Sequence, residues 1–290
     1  MIIRQHWVIG ILCLLSVLST PAQAAKPVNT PKSFSEAKWI SRQAVYNDLN
    51  QGAGGTLYCG CDWQWTGKNG GRIDLESCGQ AVRREVHRHR AQRIEWEHIV
   101  PASVFGQAFG CKEKGGRKVC RQEDPEFRKA EGDLHNLAPE SGEVNNDRGN
   151  MPFGEAGPVP FVYGQCQSRP DFKQRVFEPR DEVKGLVSRV WFYMSDRYGF
   201  VIPLKQQAIL MQWDRQYPPD ARERERDRRI AAITGVHNPF VTGEKVWEKH
   251  VDMRTAKQSL TQKIKSVLVV ESRDGGDLHK IIKAVNGRGY

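Results

Sequence analysis

Apolar residues recur at helical spacing in three segments of the chain. Over residues 35–50, Ser35 is a candidate N-cap and the apolar residues that follow lie on roughly one face, which predicts a helix. Residues 181–216 carry a strongly apolar stripe that is interrupted at Pro203, which predicts two helices packed against a core. Over residues 220–233, arginines alternate with acids, a pattern typical of a solvated helix face with ion pairs.

The middle of the chain has shorter, strand-like patterns. A strand is predicted over residues 93–100, and it ends at Pro101, which cannot continue a strand ladder. A second short apolar stretch covers residues 134–138, and a helix is predicted to begin at Ser141 or just after it. Together these patterns predict a mixed, helix-rich α+β fold without an internal repeat or an interdomain linker before about residue 247.

The first residues have the pattern of a secretory signal peptide over residues 1–24. Arg4 is the only Lys, Arg, Asp or Glu in this segment, residues 7–18 are apolar, and Ala22-Gln-Ala24 fits a cleavage site. The apolar run is shorter than the roughly 20 residues that span a membrane, although an uncleaved anchor is the alternative. Residues 25–34, rich in Pro, Thr and Lys, are interpreted as a mobile leader.

Composition and charge narrow the class of protein. The chain has 290 residues, 39% of them hydrophobic and 27% charged, which excludes a collagen-like or low-complexity protein. The 44 basic and 34 acidic residues give a net charge of +10. This excess favours an anionic partner, such as a nucleic acid or an acidic membrane surface.

Cysteine usage agrees with export. One of the seven cysteines lies in the signal peptide, and an even number in the remaining chain favours three disulfides of undetermined connectivity. Cys111 and Cys120 flank a Gly-Gly turn within a charged excursion and are a candidate local pair. Cys59 and Cys61 lie in residues 51–80, which are interpreted as a stapled loop region. A zinc site is the alternative for these two cysteines.

Candidate chemistry lies near the end of the predicted strand. Glu97 and His98 could supply a metal-binding carboxylate and a general base, although an ordinary surface pair is the alternative. The amide oxygen of Asn145 suits a hard cation. Arg117 follows two glycines on a predicted turn, and its guanidinium suits a phosphate. A metal, a base and an arginine are together typical of phosphodiester hydrolysis.

These motifs carry a resemblance to a known family. The segment from Trp96 to Ala102, Trp-Glu-His-Ile-Val-Pro-Ala, resembles the signature of the bacterial endonuclease I family of periplasmic and secreted nucleases. Five further motifs follow that family's order: Cys59-Gly-Cys61-Asp62, Gly115-Gly-Arg117-Lys118, Asp133-Leu-His135-Asn136-Leu137, Gly142-Glu-Val-Asn145 and His237-Asn238-Pro239-Phe240-Val241. The resemblance covers about residues 33–245. It implies a nuclease domain over residues 35–247, built around a ββα-metal, or His-Me, finger.

The resemblance also implies roles for individual residues. His98 matches the general base, and Glu97 and Asn145 match the protein ligands of a single Mg²⁺, with Mn²⁺ and Ca²⁺ as alternatives. Arg117 matches the phosphate-binding arginine, and Glu131 matches an acid that orients His98. Because an ordinary imidazole has a pKa of about 6.5, we expect activity to fall in mild acid as His98 gains a proton.

The remaining expectations concern supporting residues. Asn136 and His135 are expected to be structural. The resemblance implies three disulfides: Cys59–Cys166, Cys61–Cys78 and Cys111–Cys120. The basic run before the predicted strand supplies candidates for contact with the DNA backbone: Arg83, Arg84, Arg88 and Arg90. Residues 248–290 lie outside the resemblance, and their role is unknown.

The implied activity is that of an exported, monomeric, Mg²⁺-dependent endonuclease. It would cut double- and single-stranded DNA, and RNA too, without sequence specificity, and would leave 5′-phosphates. The location implied is the periplasm or the medium. Two alternatives stay open: an exported DNA-binding protein without catalysis, and a nuclease devoted to RNA.

Overall fold

The computed structural model describes residues 30–52 and 54–248. The signal peptide predicted over residues 1–24 lies outside this part of the chain, as does nearly all of the extension over residues 248–290. Within the described part, no helix has the length and apolar character needed to cross a membrane.

The described residues combine helices with small antiparallel sheets. The α-helices are α1 (Phe34–Ile40), α2 (Arg88–Ala91), α3 (Ala102–Phe105), α4 (Arg117–Glu123), α5 (Pro125–Glu131), α6 (Gly142–Arg148), α7 (Asp181–Tyr198), α8 (Leu204–Gln216), α9 (Ala221–Thr234) and α10 (Pro239–Thr242). A π-helical turn covers Ser41–Val45, and 3₁₀ turns cover Glu76–Cys78, Glu85–His87, Gly106–Phe109 and Leu134–Asn136. The strands are β1 (Trp63–Thr66), β2 (Gly70–Ile73), β3 (Ile94–His98), β4 (Leu137–Ser141), β5 (Arg169–Asp171) and β6 (Val176–Glu178). This mixture confirms the predicted α+β class.

The strands pair as three two-stranded antiparallel sheets, β1 with β2, β3 with β4, and β5 with β6. In the second sheet, Ile94 lies opposite Ser141, and His98 lies opposite Leu137. Helix α6 begins directly after β4 and packs against both strands of this second sheet, β3 and β4. Strand β3 and helix α6 therefore bring their polar side chains to the same place.

The helical predictions for the carboxyl-terminal half are confirmed. Helices α7 and α8 are separated at Pro203, which precedes the first turn of α8, and α7 is buried along most of its length. Large aromatic side chains of both helices, including Phe192 and Trp213, belong to the single hydrophobic core. Burial of such side chains supplies the main favourable free energy of folding.

Helix α9 forms where it is predicted, but its face is not simply solvated. Glu223, Arg226 and Asp227 are buried. The Arg226 guanidinium donates to the hydroxyl of Tyr46 and to the backbone oxygen of His135. A buried guanidinium needs such acceptors, and the alternation of charges in the sequence gives no sign of them.

The first helix begins earlier and ends sooner than predicted. Ser33, not Ser35, is the N-cap, and its hydroxyl accepts the backbone N–H of Glu36 at 3.2 Å. Phe34 starts the helix, and the helical turns end at Val45. The sequence placed residues 33 and 34 in the leader. In the structure they belong to the cap and the first turn of α1.

The cysteine-rich segment contains more structure than a loop. Strands β1 and β2 form a hairpin there, and Gly67 turns the chain with a φ of 57°. The charged excursion likewise contains α4 and α5.

The structure contains the three disulfides implied by the resemblance: Cys59–Cys166, Cys61–Cys78 and Cys111–Cys120. The zinc alternative for Cys59 and Cys61 is therefore wrong, since both sulfurs are used in disulfides.

Candidate active site

A cavity of about 860 Å³ opens where β3 ends. Four residues singled out in the sequence line it, and they come from three separate segments: Glu97, His98, Arg117 and Asn145. Neighbours within a strand point to opposite faces, but β3 ends at His98, so Glu97 and His98 both reach this cavity. The fold thus brings a carboxylate, an imidazole, an amide and a guanidinium to one place.

The imidazole of His98 is buried and held in one orientation. Its Nε2 lies 2.8 Å from the backbone oxygen of Glu131. A carbonyl only accepts, so this contact requires the proton on Nε2 and leaves Nδ1 as the atom that can accept a proton. The ring of Phe34 packs beside it, with 4.7 Å between ring centroids.

The environment of His98 also changes its protonation. Burial, reinforced by the positive charge of Arg117, lowers the pKa of His98 to about 4. The imidazole is therefore neutral well below pH 7. If His98 is the base, we therefore expect the loss of activity on protonation at a lower pH than an ordinary imidazole would give.

Two hydrogen-bond donors hold the carboxylate of Glu97 in place. Its Oε1 accepts the hydroxyl of Tyr58 at 2.6 Å and Nη1 of Arg148 at 2.9 Å. The Arg148 guanidinium is itself buried and also donates to the backbone oxygens of His98 at 3.0 Å and Ile99 at 2.7 Å. Burial raises the pKa of Glu97, and the charge of Arg148 opposes this rise. Both donors use one oxygen, which leaves Oε2 of Glu97 for another partner.

Tyr58 and Arg148 were missed by the sequence reasoning. The backbone N–H of Tyr58 donates to Oε2 of buried Glu140 at 2.6 Å, which fixes the tyrosine. Arg148 follows Asn145 by about one helical turn, which places the two side chains on the same face of α6. That spacing was the one feature of the sequence that could have indicated a role for Arg148 at the site. Tyr58 gave none, because it precedes Glu97 by 39 residues and meets it only in the folded chain.

Asn145 presents its amide from α6. Its Nδ2 lies 3.4 Å from Oε2 of Glu95, which turns the amide oxygen away from that carboxylate. Glu95 is held in turn by ion pairs with Arg90 and Arg93. Glu95 was also missed by the sequence reasoning.

The donor set limits the kind of metal that this cavity could hold. Glu97 and Asn145 offer a carboxylate oxygen and an amide oxygen, the ligands of a hard cation that keeps several waters. Across residues 30–52 and 54–248, His, Cys, Asp and Glu side chains form no cluster of three or more that could hold an ion. The residues present therefore fit Mg²⁺ and do not fit a four-ligand zinc site.

Arg117 and Glu131 form an ion pair on one side of the cavity. Nε of Arg117 lies 2.7 Å from Oε1 of Glu131, and Nη2 of Arg121 binds the same oxygen at 2.6 Å. Burial favours the neutral carboxyl, but Arg121 and Arg117 outweigh it and lower the pKa of Glu131. Glu131 therefore orients His98 through its backbone oxygen, while its carboxylate positions two arginines.

The side chain of Arg117 remains accessible. It is 43% exposed, and its guanidinium lies 5.9 Å from the centroid of Phe34. Only Nε contacts Glu131, so the terminal Nη groups can bind a phosphate. The disulfide Cys111–Cys120 brackets this residue and restricts the segment that carries it.

The two residues expected to be structural lie outside the lining of the cavity. The side-chain amide of Asn136 makes two hydrogen bonds to the backbone of Val100, which link the ends of β3 and β4. His135 is buried, and its Nε2 lies 3.0 Å from the backbone oxygen of Val236. Both contacts join separate segments of the chain.

The basic run beside α6 is largely paired. Three of the predicted arginines form ion pairs: Arg83 with Asp147, Arg88 with Glu85 and Arg90 with Glu95. Arg84 is exposed and forms no ion pair within the described part of the chain. Three of these four guanidiniums are therefore oriented by acids.

Comparisons with known proteins identify the family of the chain. The sequence model of the family described as Endonuclease I matches residues 33–244. A periplasmic deoxyribonuclease of Aeromonas hydrophila is 44% identical over 218 residues, which cover 74% of this chain and 90% of that protein. An extracellular deoxyribonuclease of Aeromonas hydrophila is 43% identical over 79% of this chain and 95% of its own length. Endonuclease-1 of Buchnera aphidicola subsp. Baizongia pistaciae is 39% identical over 83% of this chain and 95% of its own length. The family model over residues 33–244 and the identity to these relatives show that the chain belongs to the endonuclease I family of nucleases.

Proposed function

We propose that this nuclease is exported and hydrolyses internal phosphodiester bonds of DNA, with His98 as the general base and a single Mg²⁺ bound by Glu97 and Asn145. The observation that carries the proposal is the convergence of these three side chains and Arg117 on one cavity. The two relatives from Aeromonas hydrophila are named deoxyribonucleases, which supports DNA as the substrate.

His98 has the geometry and protonation state of a base. Nδ1 is free to take a proton from a water molecule, because Nε2 donates to the backbone of Glu131. The low pKa keeps the imidazole neutral under ordinary conditions. The water attacks phosphorus and the 3′ oxygen leaves, so the products carry 5′-phosphates and 3′-hydroxyls.

The remaining site residues would bind the metal and the phosphate. Bound Mg²⁺ would supply positive charge to the phosphate and to the leaving 3′ oxygen. Oε2 of Glu97 and the amide oxygen of Asn145 would hold it, and the Arg148 contact to Oε1 keeps the carboxylate in place. The Nη groups of Arg117 bind a phosphate oxygen and stabilise its charge during the reaction.

The arrangement of β3, β4 and α6 supports a ββα-metal finger. Two antiparallel strands are followed at once by a helix that packs on both, with the base at the end of the first strand and a ligand candidate on the helix. In such a finger, the strands fix the base relative to the metal. This assignment is part of the proposal.

The lining of the cavity supports low sequence specificity. Each proposed contact is made to the phosphate backbone, and binding of that kind depends on salt and little on base sequence. The same contacts would accept RNA. The basic candidates near α6, above all exposed Arg84, would add further contacts to the phosphate backbone.

Export is supported by the signal-peptide pattern, by the three disulfides and by the names of the relatives, periplasmic and extracellular. We propose the periplasm or the medium as the location and a monomer as the active form.

Cleavage of supercoiled plasmid tests this function. The oxidised protein is incubated with Mg²⁺ or with EDTA, beside His98→Ala and, as a control for loss of a histidine, His89→Ala at an exposed position. We expect nicking and linearisation that disappear with EDTA, that fall by about 10²- to 10⁴-fold in His98→Ala and that persist in His89→Ala. A plasmid that is retarded on the gel but never cut would make the protein a DNA-binding protein instead. Labelling of the product ends before and after phosphatase identifies the 5′-phosphate.

A further inference from the structure

The turn between β5 and β6 exposes an aromatic residue and two cations. Phe172 is 49% exposed, and Lys173, Gln174 and Arg175 that follow it are exposed as well. Asp171, which precedes the turn, is buried, and its carboxylate accepts a backbone N–H of the turn. The turn therefore offers an apolar ring beside positive charge.

The hairpin holds this turn in a fixed position. Oδ1 of Asp171 accepts the backbone N–H of Gln174 at 2.8 Å, which closes the turn. Phe177 on β6 is fully buried against Tyr58, with 4.7 Å between ring centroids. An ion pair between Arg169 and Glu178 joins the two strands at the opposite end. An exposed ring on such a support is ready to bind a partner without prior ordering.

The turn lies at the rim of the catalytic cavity. Nη2 of Arg175 donates to Oδ1 of Asn150 at 3.0 Å, and Asn150 lines the cavity. Among the described non-glycine residues, Arg175 alone has a positive φ, 55°. A left-handed backbone at an arginine is unfavourable, and the surrounding contacts hold it there.

The aromatic ring is tied to the helix that carries Asn145. The guanidinium of Arg83 lies 4.8 Å from the centroid of Phe172. Asp147 on α6 binds Arg83 through two hydrogen bonds of 2.7 and 2.6 Å. The distance from this ring to the proposed metal ligand is therefore set by a short chain of fixed contacts.

We propose that Phe172, backed by Arg83, is a binding subsite for an unpaired nucleobase of the strand that is cut, and that Lys173 and Arg175 bind the adjoining phosphates. The inference rests on the proposed nuclease function and extends it to a preference for strand type. Every base has an aromatic face, so a ring with nearby cations binds bases in a sequence-tolerant way. In an intact duplex, neighbouring base pairs cover those faces. The subsite therefore favours single strands and frayed ends over paired DNA.

A matched pair of variants tests the subsite. Phe161 is 45% exposed and lies 4.9 Å from the guanidinium of Arg169, at the end of the hairpin remote from the turn. Phe172→Ala and Phe161→Ala therefore remove the same group from similar surroundings. We expect Phe172→Ala to lower kcat/KM on a single-stranded oligonucleotide by about 5- to 100-fold, mostly through KM, with little change on a blunt duplex. Phe161→Ala should cut both substrates as the wild type does, and Phe172→Trp should retain single-strand cleavage.

Oligonucleotides with one abasic position locate the base. For the wild type, an abasic residue at one fixed distance from the cut bond should slow cleavage, whereas Phe172→Ala should cut the whole series at one rate. Thermal melting of each variant reports whether it is folded. Equal single-strand cleavage by Phe172→Ala and the wild type overturns the subsite and leaves the nuclease intact. A wild type that cuts neither substrate overturns the proposed function itself.

Discussion

Two sides of the proposed catalytic cavity are built in opposite ways. One, the buried wall, consists of β3, β4 and α6 and carries Glu97, His98 and Asn145. The other, the arginine segment, covers residues 111–123 and carries Arg117. Glu97 and His98 are 3% and 8% exposed, whereas the Arg117 side chain is 43% exposed.

The difference fits the role that we propose for each side. Proton transfer and metal binding require donors placed to within a fraction of an ångström, and regular, buried structure gives that precision. A phosphate of a flexible substrate is bound better by a long, accessible side chain. A disulfide and a carboxylate shared by two arginines, that of Glu131, help to position the arginine segment.

The largest effect should come from breaking the buried wall at Arg148. Arg148→Met removes a buried positive charge and leaves the carboxylate of Glu97 unpaired, which should cost about 3–5 kcal/mol of unfolding free energy. Chemical denaturation measures this loss. The control is Arg121→Met, which makes the same substitution at an exposed arginine that pairs with Glu131. Equal losses in the two variants would remove the distinction between the two sides.

The next effect should come from opening the disulfide of the arginine segment. Cys111→Ser combined with Cys120→Ser releases a short loop and should cost roughly 2–3 kcal/mol of unfolding free energy. Because the buried wall does not contain these residues, its amides should keep their protection from hydrogen exchange. Uniformly faster exchange, including at β3, would show that the two sides are one cooperative unit.

A smaller effect is expected from the guanidinium itself. Arg117→Ala should lower kcat/KM by about 10- to 100-fold, the value of a lost charge-assisted contact, with only a small fall in melting temperature from the lost contact to Glu131. Steady-state cleavage of a fluorescent oligonucleotide gives both kcat and KM. Arg121 also pairs with Glu131 but does not line the cavity. The cleavage rate of Arg121→Ala should therefore stay close to that of the wild type. A larger loss in Arg121→Ala would transfer the phosphate contact to that residue.

The smallest effect concerns pH. The lowered pKa of Glu131 means that its pairing with Arg117 and Arg121 stabilises the fold fully above about pH 4.5 and loses this contribution as the pH falls through that lowered pKa. Glu131→Gln should therefore be less stable than the wild type by roughly 1 kcal/mol at pH 7, and this difference should shrink as the pH falls below about 4.5. Urea titrations over a series of pH values measure the difference. A gap that widens in acid would contradict the ion pair.

The sequence disclosed the site residues better than the residues that hold them. His98, Glu97, Asn145 and Arg117 lie in recognisable motifs, so their meeting at one cavity was predictable. Tyr58 and Arg148, which hold Glu97, were not predicted, because their contacts depend on which distant segments meet.

Phe34 illustrates this limit. It lies 64 residues before His98 in the chain, in a stretch that resembled a leader, yet its ring packs on that imidazole. Arg226 is a second case. Its charge suggested a solvated face, but backbone oxygens, which have no sequence signature, surround it.

Helix α6 has a consequence for how this sequence can change. Each of its seven residues is constrained by a contact or by burial. At Gly142, an added Cβ would lie only 2.6 Å from the backbone oxygen of Arg90. The other six have these roles: Glu143 accepts two backbone N–H groups, Val144 is buried, Asn145 faces the cavity, Asn146 binds Arg90, Asp147 binds Arg83 and Arg148 binds Glu97.

No position of this helix is therefore free to drift. Saturation mutagenesis should find it the least tolerant stretch of the chain, and a viable change at one position should require a compensating change in the partner. Such a helix would change as one unit with its partners, and its seven residues together would then serve as a signature of this architecture.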